Sequence, residues 1–242
     1  MDVLTDLAAE EERLAALLEA LTDEQWHLES GAPGWRILDV VVHLAQTEEL
    51  VLATLLAGGA DPWPGRQGSV DAAADAMVRA EAAAPVAVFE RWTTARTRAL
   101  EALATADPQR TVAWVAAPLR PRTLATTRLA EHWAHALDVA APLGAVLEDT
   151  SRLRHVAWLA HRTIPYARSL QGRGEVGVRC ELDGPDGDRW ILGPEDAPVV
   201  LRGPAGDFCR VAARRLTPGQ ARLVATGPGA DEVLAELRTY AV

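Results

Sequence analysis

Apolar residues recur at helical spacing over the first two thirds of this chain and at every second position after about Gln171, and this change of period constrains the fold more than any other feature. Leu4, Leu7, Leu14, Leu18 and Leu21 mark a first helix, with Glu10, Glu11, Glu12 and Arg13 between them. Thr22 and Gln25 have the spacing of a capping box for a short turn. Gly31-Ala32-Pro33-Gly34 reads as a loop. A second helix is expected from about Trp35 through Val40, Val41, His43, Leu44, Leu50, Val51 and Leu55 to Gly58-Gly59, before a loop at Asp61-Pro62-Trp63-Pro64-Gly65. Alanine-rich helices follow at roughly 70–83 and 86–105, separated by Pro85. After a short apolar piece from Val112 to Val115, Pro121 suits the first turn of a helix over roughly 122–140, and another lies between Asp149 and about Arg168. Four longer helices with long connections suggest a helical bundle.

Beyond Gln171, Val176, Val178, Cys180 and Leu182 alternate with Gly177, Arg179 and Glu181, the period of a half-buried strand. Asp183 to Asp188 reads as a turn, Arg189-Trp190-Ile191-Leu192 as a returning strand, and Val199-Val200-Leu201 as a third. A helix from about Ala205 to Arg215, a strand at Leu223 to Thr226 and a last helix from Ala230 to Tyr240 complete an α+β module. The expected division is a helical domain over residues 1–170 and an α+β domain over 171–242.

Composition removes several functions. Among 242 residues there are 34 acids against 24 bases, every base an arginine, for a net charge of −10. Such a chain attracts few phosphates, so neither nucleic acid nor an anionic membrane surface is an expected partner. No apolar run approaches the ~18 residues that span a bilayer, and the amino terminus lacks the basic start of a secretory signal. Two cysteines, Cys180 and Cys209, exclude a disulfide framework and favour a cytoplasmic location. Both read as small buried hydrophobes. Gly172-Arg173-Gly174-Glu175-Val176-Gly177 matches a dinucleotide fingerprint in letters only, because it precedes a strand instead of joining strand to helix. No G-x-S-x-G, H-E-x-x-H, C-x-x-C or Walker loop is present.

The segment from Arg128 to Asp138 carries more. On a helix Glu131 and His135 stand about 40° apart around the axis, so their side chains share one face, flanked by Arg128 and Asp138. A carboxylate and an imidazole one turn apart can grip one divalent ion, with a further ligand from another helix, and the same pattern also suits a solvated polar face. His132 is about 60° from His135 and is a rival ligand. His43 lies in the apolar run Val40-Val41-Val42-His43-Leu44 and is either a core histidine or a ligand, with Asp39 one turn earlier to orient it or to cap the helix. His27, His155 and His161 read as surface or structural, and Trp35 and Trp133 as packing.

Gly34-Trp35-Arg36-Ile37-Leu38-Asp39-Val40-Val41-Val42-His43-Leu44 followed by Glu131-x-x-x-His135-x-x-Asp138 resembles the mycothiol-dependent maleylpyruvate isomerase family, within the wider DinB-like group of four-helix-bundle metalloproteins. Gly193 to Pro198, Gly203 to Cys209 and Ala225 to Pro228 resemble the small, sterol-carrier-like α+β carboxy-terminal domain of a related branch. The resemblance implies metal ligands at His43, Glu131 and His135, with Asp39, Asp138 and His132 as neighbours of the ligands. It also implies mycothiol as cosubstrate. The lysine-free, arginine-rich count fits a GC-rich actinobacterial source, where mycothiol is the usual small thiol.

Two imidazoles and a carboxylate leave a coordination position open, as catalytic zinc sites do, and also suit iron, nickel or manganese. A thiol at that position loses its proton readily. Its thiolate can add to an electron-poor double bond and leave after rotation, which is isomerisation, or stay attached, which is transfer. The expected function is therefore isomerisation or conjugation of a small electrophilic substrate. The alternatives are a thiol-independent metalloenzyme of the same fold, acting as hydrolase, lyase or cyclase in natural-product tailoring, and a non-catalytic protein that binds a small ligand. With no lysine available, Arg128 and Arg214 are the candidates for a substrate anion.

Overall fold

A computed structural model describes residues 2–56 and 68–240, so the expected helix end at Gly58-Gly59 and the loop from Asp61 to Gly65 lie outside the described residues. The chain divides into two compact units, the first ending at Leu147 and the second spanning Glu148–Tyr240.

The first unit is helical. Its helices are α1 (Val3–Glu19), α2 (Asp23–Trp26), α3 (Ile37–Leu56), α4 (Val70–Arg79), α5 (Pro85–Thr105) and α6 (Pro121–Leu143). The long members α1, α3, α5 and α6 form the bundle, with α3 packed along α5 and α1 along α6. Local chemistry sets their ends. Asp2 caps α1 by accepting the Thr5 N–H, and Thr22 and Gln25 complete the expected capping box of α2. Pro85 does not merely separate two helices but occupies the first turn of α5, as Pro121 does in α6. Gly144 ends α6 in the left-handed conformation, at φ +63°, which costs an L side chain energy and glycine little. Inside lie Leu14, Leu18, Ile37, Val41, Leu44 and Trp92, each contributing about 1.5–3 kcal/mol by leaving water.

The second unit contains α7 (Leu153–Arg162), α8 (Ile164–Ser169), β1 (Val178–Asp183), β2 (Arg189–Leu192), β3 (Val199–Pro204), α9 (Ala205–Ala212), β4 (Val224–Thr226) and α10 (Ala230–Glu236). The sheet runs β2-β1-β3-β4, with β1 and β3 parallel and the outer pairs antiparallel. Strand β1 alternates as its sequence demands: Val178, Cys180 and Leu182 are buried, and Arg179 and Glu181 are half-buried. The helix expected from Asp149 to Arg168 is two helices, broken at Thr163 just before Pro165, where the ring disfavours a continuous helical backbone.

The compact second unit begins before α7, not near residue 170 where the period changes. Helix α7 buries Leu153, Val156, Ala157 and Ala160 and packs on α9 and β2. Arg210 of α9 is also bonded to Asp149 at 2.7 Å. The change of period marks where strands begin, and the two preceding helices already belong to their core. Among the described residues no helix is long and apolar enough to cross a membrane.

Candidate metal centre

Helices α3 and α6 bring three of the proposed ligands together. His43 Nε2 and His135 Nε2 lie 3.7 and 3.5 Å from the same atom, Glu131 Oε2. One donor atom from each residue falls within 4.8 Å of the other two. These separations are long for hydrogen bonds, but two donors each ~2.1 Å from a tetrahedral ion stand about 3.4 Å apart. The donor set therefore fits one small divalent ion.

Asp138 fixes one imidazole. Its Oδ2 lies 2.9 Å from His135 Nδ1, so Nδ1 donates its hydrogen to the carboxylate, and Nε2 is left facing Glu131. Asp138 is itself held, since its carbonyl accepts the Gly31 N–H at 2.8 Å. The loop containing Gly31 is clipped by a bridge between Glu29 and Arg36, and it carries Trp35 to the histidines. The Trp35 ring stacks on His135 at 6.3 Å and tilts over His43 at 5.0 Å, while its Nε1 donates to Asp75 at 2.9 Å. Trp35 is thus a wall of this site, beyond the packing role its sequence context suggests.

Burial, followed by the neighbouring His135, lowers His43 to about 4 despite the facing Glu131. Burial alone would raise Glu131, but the two facing imidazoles and Arg128 outweigh it and hold the carboxyl well below its ordinary range. At neutral pH His43 is neutral and Glu131 ionised, the states in which each can bind a metal. The Glu131 side chain keeps 27% of its exposure, so the centre is reachable from solvent.

The other candidate residues separate. Asp39 does not touch His43; its carboxylate accepts the Arg36 backbone N–H at 2.9 Å and the Arg36 guanidinium, which closes the start of α3. His132 is no rival ligand: its Nδ1 meets the Arg128 carbonyl at 2.9 Å and its Nε2 accepts the Trp92 indole N–H at 3.2 Å. Nor is the face of α6 solvated, because Arg128, His135 and Asp138 are all buried. Arg128 is 2% exposed and committed to Glu48 at 2.7 Å and Thr47 at 2.8 Å, which removes it as a clamp for a substrate anion. Arg214, in the second unit, is exposed, sits at φ +61° and donates to the Ala235 carbonyl at 2.9 Å. Cys180 and Cys209 are both buried, and burial pushes the Cys180 thiol up to about 12. Neither is a nucleophile. Sequence reasoning missed Glu11 and Glu48, which are buried with His132 in a second group of titratable side chains.

Fold and site together define a four-helix bundle with a preformed His-Glu-His donor set, joined to a small α+β unit. Residues 7–140 match the family model described as the mycothiol maleylpyruvate isomerase N-terminal domain, and the chain belongs to that family. An uncharacterized protein of Mycobacterium tuberculosis, in each of two strains, is 34% identical over 251 residues, covering 98% of this chain and 95% of the relative. The crystal structure of the mycothiol-dependent maleylpyruvate isomerase is similar in fold at a TM-score of 0.65 and 20% identity, over 93% of this chain and 91% of that one. A histidine-to-alanine variant of the same enzyme matches at 0.65 over 95% of its length.

Proposed function

We propose that this protein is a metal-dependent enzyme that uses mycothiol to isomerise or conjugate a small electrophilic substrate. The observation that carries this reading is the convergence of His43, Glu131 and His135 on one point, with His135 braced by Asp138, in a chain of this family. Zinc suits two imidazoles and a carboxylate best, and iron, nickel or manganese would also be accepted. When bound, the ion supplies a position at which a thiol loses its proton near neutral pH.

The chain's own residues do the rest. His43 presents a lone pair without first shedding a proton, His135 presents its Nε2, and Glu131 contributes the negative charge that offsets part of the ion's. Asp138 holds the His135 ring in one tautomer. Trp35 walls the histidines with an aromatic face. No cysteine of the chain can serve as the thiol, so the nucleophile is borrowed. The borrowed thiolate adds to a conjugated double bond, the bond rotates, and the thiolate leaves. Substrate and product then differ only in geometry; if the thiolate stays, the product is a conjugate. A cytoplasmic location, where a small thiol remains reduced, follows from this chemistry.

Metal analysis of protein purified without chelator, beside His43→Ala, tests the centre. About one equivalent in the native protein and none in the variant is expected. Turnover of maleylpyruvate with and without mycothiol tests the reaction. Turnover that persists without any thiol would reassign the protein as a thiol-independent metalloenzyme of the same fold, and metal content equal in protein and variant would reject the centre.

A further inference from the structure

A second set of titratable groups is shut inside the same bundle and takes no part in the proposed metal centre. Glu11 of α1, Glu48 of α3 and His132 of α6 bring donor atoms within 4.8 Å of one another and are 2%, 0% and 0% exposed. Two of their oxygens, Glu11 Oε1 and Glu48 Oε2, have no hydrogen-bond partner. Buried carboxylate oxygens are rarely left bare, because nothing inside replaces the water they gave up. Some cation is owed to them.

A metal ion does not fit. His132 donates from Nδ1 to the Arg128 carbonyl and accepts the Trp92 N–H at Nε2, so neither ring nitrogen keeps a free lone pair. The Arg128 guanidinium already sits on Glu48 Oε1 at 2.7 Å. Arg96 of α5 is bound to Glu12 at 2.8 Å. Three ionised carboxylates, Glu11, Glu12 and Glu48, against two guanidiniums, Arg96 and Arg128, leave one negative charge in excess. A divalent ion would overshoot by one; a single proton balances the set.

We propose that Glu11 and Glu48 hold one proton between them at neutral pH, as a buried acid–carboxylate pair, and that this pair positions Arg128. A proton on Glu11 shared with Glu48 Oε2 would give both bare oxygens a partner, the ligating atoms of the two residues lying within 4.8 Å. Glu48 Oε1 then grips Arg128, whose Nη2 donates to Thr47 Oγ1 at 2.8 Å, and Thr47 Oγ1 donates to the His43 carbonyl at 2.9 Å. A line of bonds thus runs from the pair to the helical turn carrying His43. The groups facing Glu11 are Glu48, Arg96 and Arg128 from the packed helices and Glu12 from its own. Burial and then the Glu48 charge push the Glu11 carboxyl up to about 9, against the pull of both arginines. The proton needs no metal, whereas the positioning role rests on the proposed metal centre, so the two parts are read separately.

The proton is tested by unfolding the full-length protein and Glu11→Gln in urea between pH 5 and 10. Glutamine keeps a donor for Glu48 and cannot titrate. Glu11 is raised in the folded state, so its stabilisation is complete below the unfolded value near 4.5 and is lost as pH climbs to about 9. Relative to the variant, the native folding constant should fall about tenfold per pH unit through that window and level off above it. Parallel curves would overturn the proposal. If Glu11→Gln does not fold, infrared spectra of the native protein decide: the carbonyl band of a protonated carboxylic acid should be present at pH 7 and vanish near pH 9, and its absence at pH 7 overturns the shared proton.

Zinc is the second probe. Its content should be the same in Glu11→Gln as in the native protein, and a loss there would make the cluster a metal site instead. Glu48→Gln should weaken zinc binding several-fold while Glu11→Gln does not. Equal zinc affinity in Glu48→Gln and the native protein would remove the positioning role. A native protein that binds none of zinc, iron, nickel and manganese would sink the metal centre and the positioning role together, and leave the proton to the unfolding experiment.

Discussion

Two clusters of glutamate and histidine occupy one bundle, and on α6 they begin at adjacent residues, Glu131 and His132. Both bring three ligating side chains within 4.8 Å, yet they are opposite in chemical state. In one, both imidazole Nε2 atoms face Glu131, and Asp138 accepts a hydrogen bond from Nδ1 of His135. In the other, both nitrogens of His132 are spent on Arg128 and Trp92, and a guanidinium already neutralises Glu48. The first cluster turns imidazole nitrogens toward its carboxylate. The second has no free imidazole nitrogen, already holds a guanidinium, and keeps an excess charge that one proton balances. Proximity of ligating residues therefore does not make a metal site; imidazole nitrogens free to face the ion do.

The comparison can be broken most sharply at Glu131. Glu131→Ala should lose the metal and with it all thiol-dependent turnover, while circular dichroism stays helical, because Leu129 and Trp133 still fill the core. Retained metal would mean that the two imidazoles suffice. In the second cluster the expected loss is stability. Arg128→Met strands Glu48 in the interior and should cost about 3–5 kcal/mol in urea unfolding, most of it recovered when Glu48→Leu is added. A small single-variant effect would show that Arg128 is not the cluster's cation. Asp138→Asn should weaken zinc binding by about 10–100-fold and leave stability nearly unchanged.

The smallest effects concern residues outside both clusters. Asp39→Ala removes a helix-start contact and should cost ~1 kcal/mol with unaltered metal content. A fall in metal content would return Asp39 to the site. Arg214→Gly relieves a left-handed residue and should raise stability by ~1 kcal/mol. If kcat/KM falls while Tm rises, Arg214 is the arginine that binds the substrate anion; unchanged kcat/KM excludes it.

Much of the architecture was legible in the sequence, because it depends on period. The helical stripes, the capping box at Thr22 and the alternation of β1 are local signals, and His43, Glu131 and His135 came with a family resemblance resting on contiguous motifs. What stayed hidden depends on contacts across the bundle. Leu4, Leu7, Leu14, Leu18 and Leu21 leave one gap in a regular three-four stripe, and Glu11 fills it. Taken as a charge between leucines it reads as solvated. Taken by position it faces inward, and its partners lie on three other helices. Glu48 poses the same problem, one turn after Leu44 on the buried side of α3. The start of the second compact unit at Glu148 is hidden for a related reason: α7 looks like one more helix until its partner, α9, is known.

Gly31 touches the residue that aligns His135 and belongs to the loop that carries Trp35. A methyl group there would stand 3.0 Å from the Asp138 Cα and 3.1 Å from its Oδ1, so Asp138 would have to give way by a few tenths of an ångström. Ring wall and aligning carboxylate are consequently one clasp, with this glycine as its pin. A single added carbon at Gly31 would disturb both halves together, so any relaxation of the aromatic wall is felt at His135.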